Sequence, residues 1–286
     1  MELFFDMLRS IVYGVIEGVT EWLPISSTGH MILAEQVLKF SFSAEFMEMF
    51  RVVIQLGAIL AVVVLYFKKL WPFCSDNGRD SGLARHIRWP VMRLWGKILV
   101  ACLPAAVLGL LLDDWMDAHL YNSVVVAIML IVYGIAFILI ERRPRVPTTT
   151  KLSRITYKQA IIVGAWQVLA LIPGTSRSGA TIIGGLLCGM SRACASQFTF
   201  FLAIPVMAGA SGLKLVKFLA KGGVFTLGEV GTLLVGCIVA FVVSILAIRF
   251  LMDYVKKHTF TVFGWYRIAL GILVLGIWAL QSFVLA

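Results

Sequence analysis

The chain has 286 residues, of which 60% are hydrophobic and 14% are charged, and its mean hydropathy is +0.94. This composition is typical of multi-pass membrane proteins and argues against a soluble domain. The net charge of +10 does not indicate nucleic-acid binding, because Lys and Arg fall in short loops beside apolar runs, where membrane topology accounts for them.

The first 40 residues are largely apolar but carry an acidic pair and then a break. Glu17 and Glu21 lie four residues apart, and therefore on one face of a helix. Each carboxylate costs roughly 2.5 kcal/mol or more at membrane depth, which favours a functional role. The alternative is an interfacial helix with both carboxylates in solvent. The break at Pro24 to Gly29 predicts a hairpin that enters the membrane and returns.

Polar side chains with several chemical abilities follow this break. Serines and a histidine near a helix start are ordinarily caps or satisfied polar groups. Beside two intramembrane glutamates, they also supply donors, acceptors and a titratable imidazole suited to acid–base or nucleophilic chemistry. The residues are Ser26, Ser27, Thr28 and His30.

Six apolar runs are long enough to cross a bilayer. They cover residues 52–67, 97–112, 122–140, 198–213, 228–250 and 262–285. The loops at 68–93 and 141–158 are rich in Lys and Arg, so both are predicted to be cytoplasmic. The turn at 113–121 has three aspartates and no Lys or Arg, which suits the outer side. The same topology places Lys214, Lys217 and Lys221 on the outer side of the membrane, which fits the excess of Lys and Arg expected on the cytoplasmic side less well.

A second broken segment contains PGTSRSGAT, residues 173–181. Proline and two glycines should end the incoming helix there and leave peptide N–H groups facing the side chains, which forms a nest for an anion. The guanidinium of Arg177 matches phosphate oxygens, and Ser176, Ser178 and Thr181 add hydroxyls. The structural alternative is an ion pair between Arg177 and a glutamate that joins two hairpins.

Carboxylates beside a phosphate site would repel the substrate unless they hold a hard divalent cation. We therefore expect Mg²⁺ or Ca²⁺ at Glu17 and Glu21. The spacing of these residues does not show which group is the nucleophile.

The two broken segments resemble each other at an offset of 150 residues. Gly14, Glu17 and Ser26 to Gly29 match Gly164, Gln167 and Ser176 to Gly179. Paired interrupted segments are typical of inverted repeats with a site at the repeat interface. The predicted fold is an all-α integral membrane protein with about six transmembrane helices and two re-entrant helix-loop-helix hairpins. It forms one domain over residues 1–286, with repeat halves of about 1–112 and 122–286.

The motifs EGVTEWLPISSTGH, residues 17–30, and PGTSRSGAT resemble the two signatures of the undecaprenyl-diphosphate phosphatase, or bacitracin-resistance, family. The resemblance covers nearly the whole chain. It implies a multi-pass hydrolase of the bacterial cytoplasmic membrane that needs a divalent metal and opens to the periplasmic side. Such an enzyme removes the terminal phosphate of undecaprenyl diphosphate, recycles the carrier for peptidoglycan synthesis and confers bacitracin resistance.

The resemblance also implies roles for individual residues. Glu17 and Glu21 bind metal or activate water, and Arg177 with Ser176 and Thr181 clamps the diphosphate. In the favoured alternative, His30 attacks the phosphate or relays protons. In the other, Ser27 does part of that work. A lipid-phosphate transporter or flippase is the alternative function, since broken repeats are typical of transporters. The oligomeric state, a homodimer included, is left open.

Overall fold

The computed structural model describes residues 2–75, 85–143 and 146–284. The chain forms twelve α-helices within these residues, and the all-α prediction is confirmed. The helices are α1 (Glu2–Thr20), α2 (Ser27–Val37), α3 (Ala44–Val53), α4 (Gln55–Leu65), α5 (Phe67–Leu70), α6 (Trp89–Leu120), α7 (Ser123–Glu141), α8 (Tyr157–Val168), α9 (Arg177–Leu187), α10 (Arg192–Ala220), α11 (Leu227–Lys257) and α12 (Thr261–Val284).

Six helical segments within the described residues are long and apolar enough to cross a membrane, and they overlap the six predicted spans. They are Ala44–Leu65, Trp89–Leu112, Ser123–Glu141, Arg192–Ala220, Leu227–Lys257 and Thr261–Ser282. The prediction of six spans is confirmed.

The turn expected at residues 113–121 is wrong in extent. Helix α6 continues to Leu120, and Asn122 caps α7 by accepting the N–H of Val125 at 3.0 Å. A helix satisfies most of its own backbone groups, so α6 can continue past its apolar stretch. Of the basic residues predicted to mark the cytoplasmic side, Arg79 and Arg145 lie outside the described residues.

The long helices run between two ends of a bundle. At one end, which we call the basic end, α7 stops and α10 and α12 start. There Glu141 accepts hydrogen bonds from Arg192 Nη2 at 2.5 Å and from the Phe260 N–H at 3.1 Å. At the opposite end, Lys214 of α10 contacts Glu48 of α3 at 2.7 Å.

The three lysines that fitted the charge rule less well lie at the opposite end. Lys214, Lys217 and Lys221 line a surface cavity together with Glu45, Glu48 and Glu229. Carboxylates therefore offset part of the positive charge at this end.

Helices α1 and α2 form a hairpin that starts and finishes at the opposite end. Helix α1 runs alongside α11, from Leu3 beside Gly228 to Gly18 beside Val243, near the middle of α11. The chain then turns, and α2 leads back until Ser41 N–H donates to Asp6 Oδ1 at 3.3 Å.

Helices α8 and α9 form a matching hairpin from the basic end. Tyr157, at the start of α8, lies beside Gly96 of α6, and Leu171 lies beside Gly109, past the middle of α6. Helix α9 returns the chain to Gly189, whose carbonyl accepts the Thr148 N–H at 2.9 Å. The depth of both hairpins in a bilayer, and the repeat boundaries at 112 and 122, stay predictions.

The two hairpins correspond closely in sequence position and in packing. Helices α2 and α9 each have 11 residues, and their bounds differ by 150. A Cβ on Gly14 would lie 2.7 Å from the Gly236 carbonyl oxygen, and one on Gly164 would lie 2.3 Å from that of Ala101. The glycine therefore lets the first helix of each hairpin pack against the backbone of a long helix.

Candidate active site

The turns of the two hairpins meet inside the bundle. Ser178, at the start of α9, donates its hydroxyl to the Leu23 carbonyl oxygen of the first turn at 3.3 Å. Leu23 and Ser178 are both buried. The turns therefore support each other, and the residues that follow them face one another.

Glu21 and Arg177 are in direct contact across this junction. Arg177 Nε and Nη2 lie 3.2 and 3.0 Å from Glu21 Oε1, and Arg177 Nη1 donates to the Thr199 carbonyl oxygen at 3.1 Å. Ser27 donates its hydroxyl to the other carboxylate oxygen of Glu21 at 3.0 Å. The expected convergence is observed, and it includes the ion pair that the structural alternative described.

Two serines give the hairpins the same unusual backbone. Ser26 has φ 72° and Ser176 has φ 70°, and they are the two non-glycine residues with positive φ in the described part of the chain. Each caps the following helix, with its Oγ 3.5 Å from Gly29 N and 3.2 Å from Gly179 N, respectively. Such a conformation costs on the order of 1–3 kcal/mol and is found mainly at functional sites.

A cavity of about 730 Å³ opens beside the ion pair. Its polar lining includes Glu21, Ser27, Thr28, Ser176 and Arg177, which were all predicted as site residues. The wall that extends from this polar end is formed by α6, by the turn that follows α8 and by α10, and it consists mainly of small and apolar side chains. It includes Ala105, Ala106, Gly109, Leu110, Ala170, Leu171, Met207, Gly209, Ala210, Gly212, Leu213 and Val216.

The other predicted site residues do not line this cavity. Thr181 is fully buried, donates to the Arg177 carbonyl oxygen at 2.8 Å and accepts the hydroxyl of Thr199 at 2.9 Å. Thr181 and Ser178 therefore hold the first turn of α9, and Ser26 holds that of α2. Glu17 and His30 also lie outside the lining, in two different environments.

Glu17 is a buried carboxylate with unmet bonding capacity. Its exposed fraction is 1%, and neither carboxylate oxygen has a hydrogen-bond partner. It lies in the last turn of α1, and its carbonyl oxygen accepts the Glu21 N–H at 3.0 Å just after that helix ends. Two such oxygens suit a hard cation, but the described residues contain no group of three or more His, Cys, Asp or Glu side chains placed to hold a metal. A cation here would need further oxygens from substrate or water.

His30 uses both ring nitrogens in contacts with the protein. Nδ1 lies 2.7 Å from the Ser26 carbonyl oxygen, and Nε2 lies 2.7 Å from the Tyr266 hydroxyl. A carbonyl oxygen can only accept, so Nδ1 carries a proton, and in the neutral ring Nε2 accepts from the tyrosine hydroxyl. The two rings are stacked with centroids 5.6 Å apart. His30 therefore packs against Tyr266 of α12, and its predicted role as attacking group or proton relay stays a prediction.

Arg267 of α12 joins the two turns and was missed in the sequence analysis. Its side chain is fully buried and donates to the carbonyl oxygens of Gly174 and Thr175 at 2.9 Å each, and of Pro24 at 3.3 Å. The signal was present, because a lone charge within an apolar span is a functional candidate by default.

A model of the family described as bacitracin resistance protein BacA matches residues 10–273. The chain belongs to the BacA family. The predicted resemblance is confirmed, and the match includes both hairpin turns of this BacA-family protein and Arg267.

Curated relatives cover nearly the full length of this BacA-family chain. It is 60% identical over 278 residues to an undecaprenyl-diphosphatase of Enterococcus faecalis, covering 96% of this chain and 99% of the relative. It is 56% identical over 282 residues to an undecaprenyl-diphosphatase of Streptococcus gordonii, with 98% of each covered. An undecaprenyl-diphosphatase of Lactococcus lactis subsp. cremoris is 55% identical over 283 residues, covering 98% of this chain and 99% of the relative.

Proposed function

We propose that this BacA-family protein hydrolyses undecaprenyl diphosphate to undecaprenyl phosphate and inorganic phosphate. The reaction returns the lipid carrier to peptidoglycan synthesis, which maintains cell shape and confers bacitracin resistance. The curated relatives named undecaprenyl-diphosphatase support this activity. The structural observation that carries it is the contact of Arg177 and Ser27 with Glu21 at the polar end of an apolar cavity.

Arg177 is placed to bind the phosphate end of the substrate. A guanidinium has five N–H donors. The three hydrogen bonds that Arg177 donates go to Glu21 and to the Thr199 carbonyl oxygen, which leaves about two N–H groups for phosphate oxygens. The hydroxyls of Thr28 and Ser176 line the same end of the cavity.

The apolar part of the cavity suits the polyprenyl tail. A Cβ added to Gly209 or Gly212 would meet no atom within 4 Å, so this wall of α10 is smooth and open. A long hydrocarbon chain can lie along such a surface while its diphosphate reaches the polar end.

Glu21 is the group that we assign as general base. Its Oε2 accepts the Ser27 hydroxyl proton at 3.0 Å, which is the contact that an activated nucleophile requires. In one route, Ser27 Oγ attacks the terminal phosphorus, the bond to the bridging oxygen breaks, and water then cleaves the phosphoserine. In the other, Glu21 takes the proton from a water that attacks the terminal phosphorus, and the bond to the bridging oxygen breaks to release inorganic phosphate and undecaprenyl phosphate. His30, with both ring nitrogens engaged, is in neither route.

Glu17 and Glu21 would hold the divalent cation, Mg²⁺ or Ca²⁺, because Glu17 has two buried oxygens without partners. When bound, such a cation neutralises phosphate charge. With Glu17 and Glu21 as its ligands, chelator should abolish phosphate release by the wild type, and Glu17→Gln should raise the cation concentration needed for half-maximal activity. Full activity in chelator would refute the cation assignment while leaving the base role of Glu21 open.

The protein belongs to a multi-pass membrane class, and we propose that it lies in the bacterial cytoplasmic membrane with its site open to the periplasm. The cavity wall extends along α6 to Leu110 and along α10 to Val216, towards the opposite end of the bundle. The basic end carries Lys and Arg in its connections, which favours the cytoplasm for that end.

The activity is tested with purified protein in detergent, where transport has no second compartment. We expect phosphate release from undecaprenyl diphosphate, whereas binding without turnover would favour a lipid-phosphate transporter. Arg177→Lys should lower kcat/KM by about 100-fold, since an ammonium cannot reproduce the bidentate fork. Arg154→Lys, at an exposed arginine of the basic end, is the matched control.

Quenching a single turnover of substrate labelled on the terminal phosphate separates the two routes. Labelled protein that disappears in Ser27→Ala supports a phosphoserine. Labelled inorganic phosphate that forms within the turnover while no labelled protein is detected supports direct attack by water.

A further inference from the structure

Gln167 is a buried polar residue of the cavity wall whose side chain has no partner. Its exposed fraction is 2%, and neither Nε2 nor Oε1 makes a hydrogen bond. It lies in the last turn of α8, and it lines the cavity together with Arg177 and Cys102. Buried amides are normally hydrogen-bonded, so an amide left unpaired at a cavity wall requires an explanation.

The first hairpin has a similar residue at the corresponding position. Glu17 precedes the start of α2 by ten residues, and Gln167 precedes the start of α9 by ten. Both side chains are buried and unpartnered. Only Gln167 lines the cavity, and it is the neutral member of the pair.

An amide suits a phosphate ligand at this position better than an acid would. Its Nε2 offers two N–H donors, whereas a second carboxylate in the cavity that Glu21 lines would repel an anion. The amide also carries no charge, so it can stay buried in the absence of substrate at a lower cost than an unpaired ion.

We propose that Gln167 is a substrate-contacting residue whose Nε2–H donates to a phosphate oxygen of the prenyl diphosphate. The inference rests on the proposed function and adds a residue to its binding site. Gln167 and Arg177 then hold the diphosphate from two elements of the second hairpin, while Glu21 and Ser27 of the first hairpin act on it.

The test is Gln167→Met, a change of similar size that removes both polar atoms. Because these atoms make no hydrogen bond within the protein, we expect the melting temperature in detergent to stay the same or rise. We expect KM to rise roughly 10- to 100-fold, with a smaller change in kcat, from the loss of a hydrogen bond to a charged group. Gln167→Glu should lower kcat/KM further, because it adds a negative charge beside the phosphates.

Gln159, on the same helix, provides the matched control. Its Nε2 donates to Thr149 Oγ1 and to the Cys188 carbonyl oxygen at 3.0 Å each, so its role is structural. Gln159→Met should lower the melting temperature and leave KM of the folded protein unchanged.

Three results are decisive. A KM within threefold of wild type in Gln167→Met overturns the proposal, as does a fall in melting temperature that accounts for the lost activity. Binding of a non-hydrolysable prenyl methylenediphosphonate is measured in parallel. If the wild type binds this analogue but releases no phosphate from undecaprenyl diphosphate, the proposed hydrolysis fails. The dissociation constant of Gln167→Met then still decides whether Gln167 contacts the diphosphate.

Discussion

Replacing Arg267 with lysine tests whether one buried side chain keeps the two hairpin turns in register. Arg267 reaches five carbonyl oxygens, those of Pro24, Gly174 and Thr175 in the turns and those of Met129 and Leu130 in α7, at 2.9–3.4 Å. An ammonium keeps the positive charge but has only three donors on one atom.

The structure sets the size of the expected effect. Lysine must leave at least two of the five carbonyl contacts unmade. Hydrogen bonds from a charged group contribute about 1.5–3 kcal/mol each, so the free energy of unfolding should fall by about 3–6 kcal/mol. Arg267 reaches Pro24 through Nη1 and reaches Gly174 and Thr175 through Nη2. One ammonium nitrogen cannot occupy both positions, so we expect lysine to lose contacts in at least one of the two turns.

The measurement combines thermal unfolding in detergent with kcat/KM at a temperature where the variant is still folded. We expect a lower melting temperature and at least a tenfold fall in kcat/KM, because the turns set the positions of Glu21 and Arg177. Arg249→Lys, at an exposed arginine of α11, controls for the loss of a guanidinium. If Arg267→Lys unfolds at the wild-type temperature and turns over within threefold of it, Arg267 does not position the site.

Three further changes test the packing and the cavity. Gly57→Ala should destabilise by about 1–3 kcal/mol or more, because its Cβ would lie 2.0 Å from the Cys237 carbonyl oxygen; a wild-type melting temperature would contradict the close approach of α4 and α11. Gly212→Leu should raise KM for undecaprenyl diphosphate without lowering the melting temperature, since the space beside Gly212 is open. Equal KM values for the variant and the wild type would show that the prenyl tail does not bind in this cavity. Tyr266→Phe should change kcat/KM less than threefold, because it removes only the hydroxyl on His30 Nε2; a hundredfold loss would return His30 to a catalytic role.

The local features of this protein could be predicted from its sequence. Helices in a membrane bury continuous apolar runs, so the six spans followed from hydropathy alone. Proline and glycine act on their own backbone, so the breaks at Pro24 and Pro173 marked the two turns correctly. The offset of 150 residues matches Ser26 with Ser176, and the structure gives these two residues nearly the same positive φ.

The tertiary structure alone decided which of these polar residues face the same space. Glu21 and Arg177 are 156 residues apart in the chain, and their contact required both hairpins to reach the middle of the bundle. Orientation around a helix then separated neighbours, so that Ser27 lines the cavity while His30 packs on Tyr266. The sequence marks Arg267 as a lone charge in an apolar span and matches Gln167 with Glu17, but only the packing of distant segments shows that Arg267 bridges two turns and that Gln167 lines the cavity unpaired. Such contacts depend on how whole helices pack, which residue spacing along one helix does not encode.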